Sequence, residues 1–195
     1  MVNHVWGLLA HPHREWRQIR GEHESVSHHY LHHVLLLAAI PVICAVIGTT
    51  QVGWQIGGSS MRIETGTAVV LGVVFYILML AAVYAMGSVI HWLARRYPDR
   101  PSHRRCVVFA GYIATPLFLS GLVALYPAPL LWAVVGLVAL CYTGYLLQAG
   151  IPDFLDIDRR EGMVVSGSAF AIGVLVLEAL LAAGVLLWGY GIHMF

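Results

Sequence analysis

A chain of 195 residues that is 59% hydrophobic, with a mean hydropathy of +0.76, carries more apolar surface than a soluble fold of this size can enclose. Charged residues make up 11%, far below the roughly 25% of an ordinary soluble domain, and a net charge of +1 leaves no basic footprint for nucleic acid. These figures exclude a soluble enzyme or nucleic-acid-binding domain and predict an all-α membrane protein.

The first 32 residues precede the apolar part and are expected to be cytoplasmic. They lack the charged start, short apolar run and small-residue cleavage site of a signal peptide, so the first span is expected to stay in the mature chain. Within them, "HPHREWRQIRGE" (11–22) reads as a short amphipathic helix opened by Pro12 in its first turn. Trp16 and Ile19 lie on one face, and Arg14, Arg17 and Arg20 recur on the adjoining one. Two placements suit this pattern. The helix can lie in the membrane interface, apolar face down, with its arginines near anionic headgroups. It can equally pack against the bundle.

The stretch "SHHYLHHV" (27–34) places His28, His29, His32 and His33 just before the first span. On a helix, His28 and His32 stand one turn apart, as do His29 and His33, and such a pair can present two imidazoles to one metal ion. Zinc takes four ligands, or three plus water, so other segments must contribute. Asp99, His103 and Asp153 are the candidates on the same side of the membrane, where His91, Cys106, Asp156 and Asp158 also fall. The segment "DFLDIDRREG" (153–162) does not match an EF-hand loop. Two other readings compete: a collar of amphipathic residues at the interface, or a cluster that gains charge together on mild acidification.

Five stretches are long and apolar enough to cross a bilayer, which takes about 20 helical residues. They run over 33–53, 67–94, 106–126, 129–150 and 166–189. Arg14, Arg17, Arg20, Arg95, Arg96, Arg100, Arg104, Arg105, Arg159 and Arg160 then all fall on one side, with Arg62 alone on the other. Because positive loops stay inside, the amino terminus is expected in the cytoplasm and the carboxyl terminus outside. The outer loop "VGWQIGGSSMRIE" (52–64) is rich in glycine and serine and is expected to be flexible. "YPAP" (126–129) predicts a tight hairpin.

Within the spans, Pro41 and Pro116 are expected to kink their helices. Ala110/Ala114 and Gly167/Ala171 are small pairs suited to close helix contact. Trp54, Trp92, Tyr126, Trp132, Trp188 and Tyr190 read as an aromatic belt. Glu178 stands out near the middle of the fifth span, where a charge is costly, and is expected to face the bundle interior. Thr115, Tyr142 and Thr143 lie at similar depth as partners. It can serve a coupling proton or cation, or act as a protonated carboxyl that glues helices together. Cys44, Cys106 and Cys141 form no CxxC, which argues against a disulfide framework or a structural zinc knot.

"HPHREWRQI" resembles the Pro-x-x-x-Trp-x-x-Ile opening of bacterial Yip-family membrane proteins, and "GYIATPLFLSGLVALYP" (111–127) resembles that family's Gly-Tyr-x-x-x-Pro span. "SHHYLHHVLLLAAIPVICAVIGTTQVGW" and "AIGVLVLEALLAAGVLLWGYG" look close to a bacterial inner-membrane member. The resemblance covers nearly the whole chain. It implies five spans, an inward amino terminus and an outward carboxyl terminus. Eukaryotic members act in vesicle traffic and contact Rab-type GTPases, but through a cytoplasmic segment longer than the one here. The resemblance brings no catalytic residue.

There is no GxGxxG, P-loop, Gly-x-Ser-x-Gly elbow or HExxH. The leading expectation is a non-enzymatic adaptor of the bacterial inner membrane that binds partner proteins or anionic lipid headgroups through its cytoplasmic face. Trp16, Arg17, Arg20, Arg95, Arg96, Arg100, Arg104 and Arg105 would carry those contacts, and a second copy of the chain, forming a homodimer, is a further partner. The alternative is a protein that binds Zn2+ or another divalent metal, or a small transporter. It would use His28, His29, His32 and His33, with Glu178 as an intramembrane polar element. No inverted repeat is visible, so transport would need a dimer.

Overall fold

The structure, a computed structural model, describes residues 11–21, 26–56, 59–96, 101–126 and 128–193. Within these, the side chains of residues 20, 26–32, 54–56, 59–61, 129, 159 and 189–193 are not described.

Lipid supplies no hydrogen-bonding partner, so a spanning chain satisfies its backbone as helix. Among the described residues seven α-helices result, two of them making up a single span. α1 (Pro12–Gly21) is the short amphipathic helix, α2 (Val26–Ile47) ends in a π turn over Gly48–Val52, and α3 covers Thr65–Ala94. The third span is α4 (His103–Ile113), α5 (Thr115–Ser120) and a 3-10 turn over Gly121–Leu125. α6 (Pro129–Leu155) and α7 (Arg159–His193) complete the chain. Five helical stretches are long and apolar enough to cross a membrane: His33–Val52, Thr65–Ala94, His103–Leu125, Leu130–Leu155 and Arg160–Trp188. They agree with the five expected spans.

The prolines act differently. Pro116 sits in the first turn of α5, and the helix breaks beside it at Ala114. Pro41 leaves α2 unbroken. The outer loop is not featureless: Trp54–Ile56 and Ser59–Met61 pair as a short antiparallel ribbon, Trp54 opposite Met61.

The third span is the axis. Over its most apolar window 56% of it is buried, against none of the fifth span. α4 packs on α3 and α6, and α5 on α2 and α6, while α7 touches chiefly α3 and α6 and so forms one edge of the bundle. Spans one and three approach closely because Gly121 has no side chain: a Cβ there would lie 2.2 Å from Pro41 Cβ and 2.7 Å from Pro41 Cα. All three cysteines are free.

The aspartates of "DFLDID" shape the turn between α6 and α7. Asp156 closes α6 in the left-handed region at φ 65°, a conformation that Asp adopts more readily than most residues. Asp158 Oδ2 accepts from the Arg160 backbone N–H at 3.3 Å and caps the first turn of α7.

Candidate functional site

The chemically richest region lies at the arginine-bearing end, where α1 docks against α6 and the start of the third span. Trp16 is 0% exposed. Its ring lies 5.0 Å from Phe109, 5.6 Å from Phe154 and 6.2 Å, edge-on, from Tyr112. Phe109 and Phe154 stack at 5.8 Å. Gly150 opens the room for these rings, since a Cβ there would sit 2.3 Å from Phe109 and 2.9 Å from Trp16. Ile19, one turn on, is also buried. The amphipathic face of α1 is therefore spent on protein rather than on lipid. Trp16 does not face lipid or a partner as expected, because aromatic side chains of α4 and α6 cover its whole surface.

Two polar contacts hold the rim. His13 Nδ1 lies 2.6 Å from Asp153 Oδ2, tying α1 to the end of α6. The Arg105 guanidinium donates to the Phe154 carbonyl and lies 5.1 Å over the Phe154 ring. Ser102 caps α4 by accepting from the Arg105 backbone N–H at 3.3 Å. Arg105 is thus turned inward and half-buried, a correction to its placement among the outward-facing arginines: the Phe154 carbonyl, in the last turn of α6, has no intrahelical N–H partner and accepts from the guanidinium, while the Phe154 ring lies beneath it. The His13–Asp153 pair is part-exposed, and such pairs contribute about 0–1 kcal/mol. Asp153→Asn is accordingly expected to speed hydrogen exchange of α1 amides by no more than roughly fivefold. A larger rise would mean that the clasp, and not the Trp16 box, holds the helix.

The histidine tetrad divides. His28, His29, His32 and His33 all lie on α2. The side chains of His28, His29 and His32 fall outside the described residues, as do Arg20's side chain and the whole of Asp99 and Arg100. His33 turns into the core, 4% exposed, with Nε2 at 3.3 Å from Thr115 Oγ1 and its ring 5.0 Å from Tyr112. That burial removes it from any outward-facing four-histidine cluster. Of the expected co-ligands, Asp153 and His103 are also engaged. Asp153 belongs to His13. His103 Nε2 is 3.0 Å from Ser88 Oγ, and its ring stands 5.4 Å from that of His91, whose Nδ1 donates to the Pro101 carbonyl at 3.1 Å. Among the described residues, no three His, Cys, Asp or Glu side chains come together as a metal site.

Glu178 is not interior. It is exposed on α7, the edge helix, whose inward face is occupied by Val165, Ser166, Ala169 and Trp188. Thr115, offered as its partner, is paired with His33 instead. Tyr142 is half-buried and lies 5.7 Å from the Tyr145 ring. Trp188 is 8% exposed against Phe75 and so leaves the aromatic belt. Trp92 and Tyr126 remain exposed, with Arg96 5.3 Å over Trp92.

No feature of the sequence pointed to Phe109, Phe154 and Gly150 as one box with Trp16. The only signal was a glycine at the end of the fourth span, "QAGIPDF", where a longer side chain would have served the helix better.

The fold and this docked helix define a polytopic helical membrane protein built on five spans. The Yip1 domain model matches residues 6–192, and the chain belongs to that family. It is similar to the inner membrane protein YohC of Escherichia coli (strain K12), 62% identical over 195 residues and over the full length of both chains. The YohC of a second Escherichia coli strain matches equally, at 62% over the full length. No solved structure matches.

Proposed function

We propose that the protein is a non-enzymatic component of the bacterial inner membrane that binds acidic surfaces, above all anionic lipid headgroups, through its arginine-bearing end. The observation that carries this reading is the exposure of Arg14, Arg17, Arg95, Arg96, Arg104 and Arg160 at one end of the bundle, with Arg62 at the other. By the positive-inside rule, such one-sidedness supports a cytoplasmic location for that end and an outward carboxyl terminus. The docked α1 supports the reading. With Trp16 and Ile19 held by the protein, Arg14 and Arg17 are left on the open side of the helix. An adaptor role toward an acidic partner protein would use the same arginines.

Each arginine near an anionic leaflet contributes about 1 kcal/mol. Replacing Arg95, Arg96 and Arg104 together with glutamine is therefore expected to weaken retention of phosphatidylglycerol or cardiolipin by up to roughly a hundredfold. Native mass spectrometry of the detergent-solubilised protein, titrated with each lipid and with phosphatidylcholine as control, measures it. Equal retention by wild type and the triple variant would sink the lipid reading.

A further inference from the structure

The fifth span carries a group that the single chain leaves without a partner. Val164, Gly167, Ala171, Leu175, Glu178, Ala182 and Val185 are all exposed on α7. Their spacing of three and four residues keeps them in one stripe along the helix. Glu178 makes no hydrogen bond or ion pair among the described residues. It precedes Trp188 by ten residues. At 1.5 Å per residue that sets it about 15 Å below the end of the apolar run, near the midplane of a core about 30 Å thick. Lipid there offers a carboxyl neither donor nor acceptor.

The stripe alternates small residues with large apolar ones, Leu175 lying one turn before Glu178 and Val185 two turns after it. Gly167 and Ala171 stand on one side and Ala182 on the other, and a Cβ at Gly167 would meet nothing within 4 Å. This is room left open outside the chain, of the kind that lets two helix backbones approach in a membrane.

We propose that this stripe is the interface of a homodimer, in which α7 packs against α7 of a second copy and the two Glu178 carboxyls hydrogen-bond across the two-fold axis. Three features select a second copy over a different protein. Both copies insert in the same orientation, so an axis along the membrane normal brings each interface residue to its own counterpart at equal depth. A protonated carboxyl is both donor and acceptor, so the pair is complementary to itself. And α7 is the edge helix, packed chiefly on α3 and α6, so a second bundle can reach it without displacing a span.

The test is cross-linking in native membranes, with Cys44, Cys106 and Cys141 first replaced by alanine. Single cysteines go in at Ala171, Leu175 and Ala182, and at Val73 and Leu137 as exposed controls on other helices. Copper-phenanthroline oxidation is expected to give a covalent dimer at the three stripe positions, at least tenfold above the controls. In the same membranes, Glu178→Ala is expected to lower the Ala171→Cys dimer at least fivefold, while Glu178→Gln, which keeps a donor and an acceptor, retains it. Glu178 is exposed and makes no hydrogen bond or ion pair among the described residues, so the alanine variant is expected to keep the fold. No dimer at the stripe, equal yields at Val73 or Leu137, or undiminished cross-linking with Glu178→Ala would each overturn the proposal.

Discussion

The Trp16→Ala variant is expected to lose about 3–5 kcal/mol, the range for removing a fully enclosed large aromatic side chain. For a chain of this length that corresponds to a melting temperature lower by roughly 10 °C. The loss has a definite address. Trp16 fills the space between Phe109, Tyr112 and Phe154 over Gly150, and truncation leaves those rings facing a large void that the packed helices close only in part. α1 is only ten residues long, too short to persist as a helix once undocked. Limited proteolysis after Arg14 and Arg17 should therefore accelerate far more in Trp16→Ala than in Asp153→Asn, which removes only the part-exposed clasp. An interfacial helix held by lipid would behave otherwise: in detergent both variants would be cut at the rate of wild type. Thermal melting with a cysteine-reactive dye, beside proteolysis, separates these outcomes.

The second large effect is expected at Gly121. The Gly121→Ala methyl would have to occupy space 2.2 Å from Pro41 Cβ and 2.7 Å from Pro41 Cα, and a proline inside a packed helix cannot swing aside. Overpacking of this kind costs about 1–3 kcal/mol. Alanine's better helix preference returns at most about 1 kcal/mol. The net effect is a less stable protein, with spans one and three forced apart. Gly136→Ala is the matched control, because a Cβ there meets nothing within 4 Å. It should be neutral or stabilising by about 0.5–1 kcal/mol. Melting temperatures of the two variants, measured side by side in one detergent, should move in opposite directions. No fall for Gly121→Ala would contradict the contact between the first and third spans, and a fall for Gly136→Ala would contradict the open space at that position.

The five spans were legible in the sequence because a bilayer asks for length and apolar composition, and both are local. The arginine asymmetry was legible for a similar reason, since it depends on the order of loops and not on their contacts. The amphipathic character of 11–22 could likewise be read from spacing. Its destination could not. Trp16 on a helix face looks the same whether lipid or Phe109 covers it, and Phe109 and Phe154 lie far along the chain. His33 shows the same limit. In sequence it is one of four similar histidines, but only its angular position on α2 points it at Thr115 and Tyr112. Glu178 fails in the opposite sense: a carboxyl in an apolar span belongs inside by cost alone, yet it lies on the outer face of the edge helix.

The sequence by itself determined the class, the five spans and the one-sided charge, because each rests on the solvation of segments taken singly. Only the tertiary structure decided that α1 is part of the bundle, that Arg105 and His33 are turned inward, and that Glu178 is turned outward. Those are questions of which helix face meets which neighbour, and they are settled by packing between residues remote in sequence.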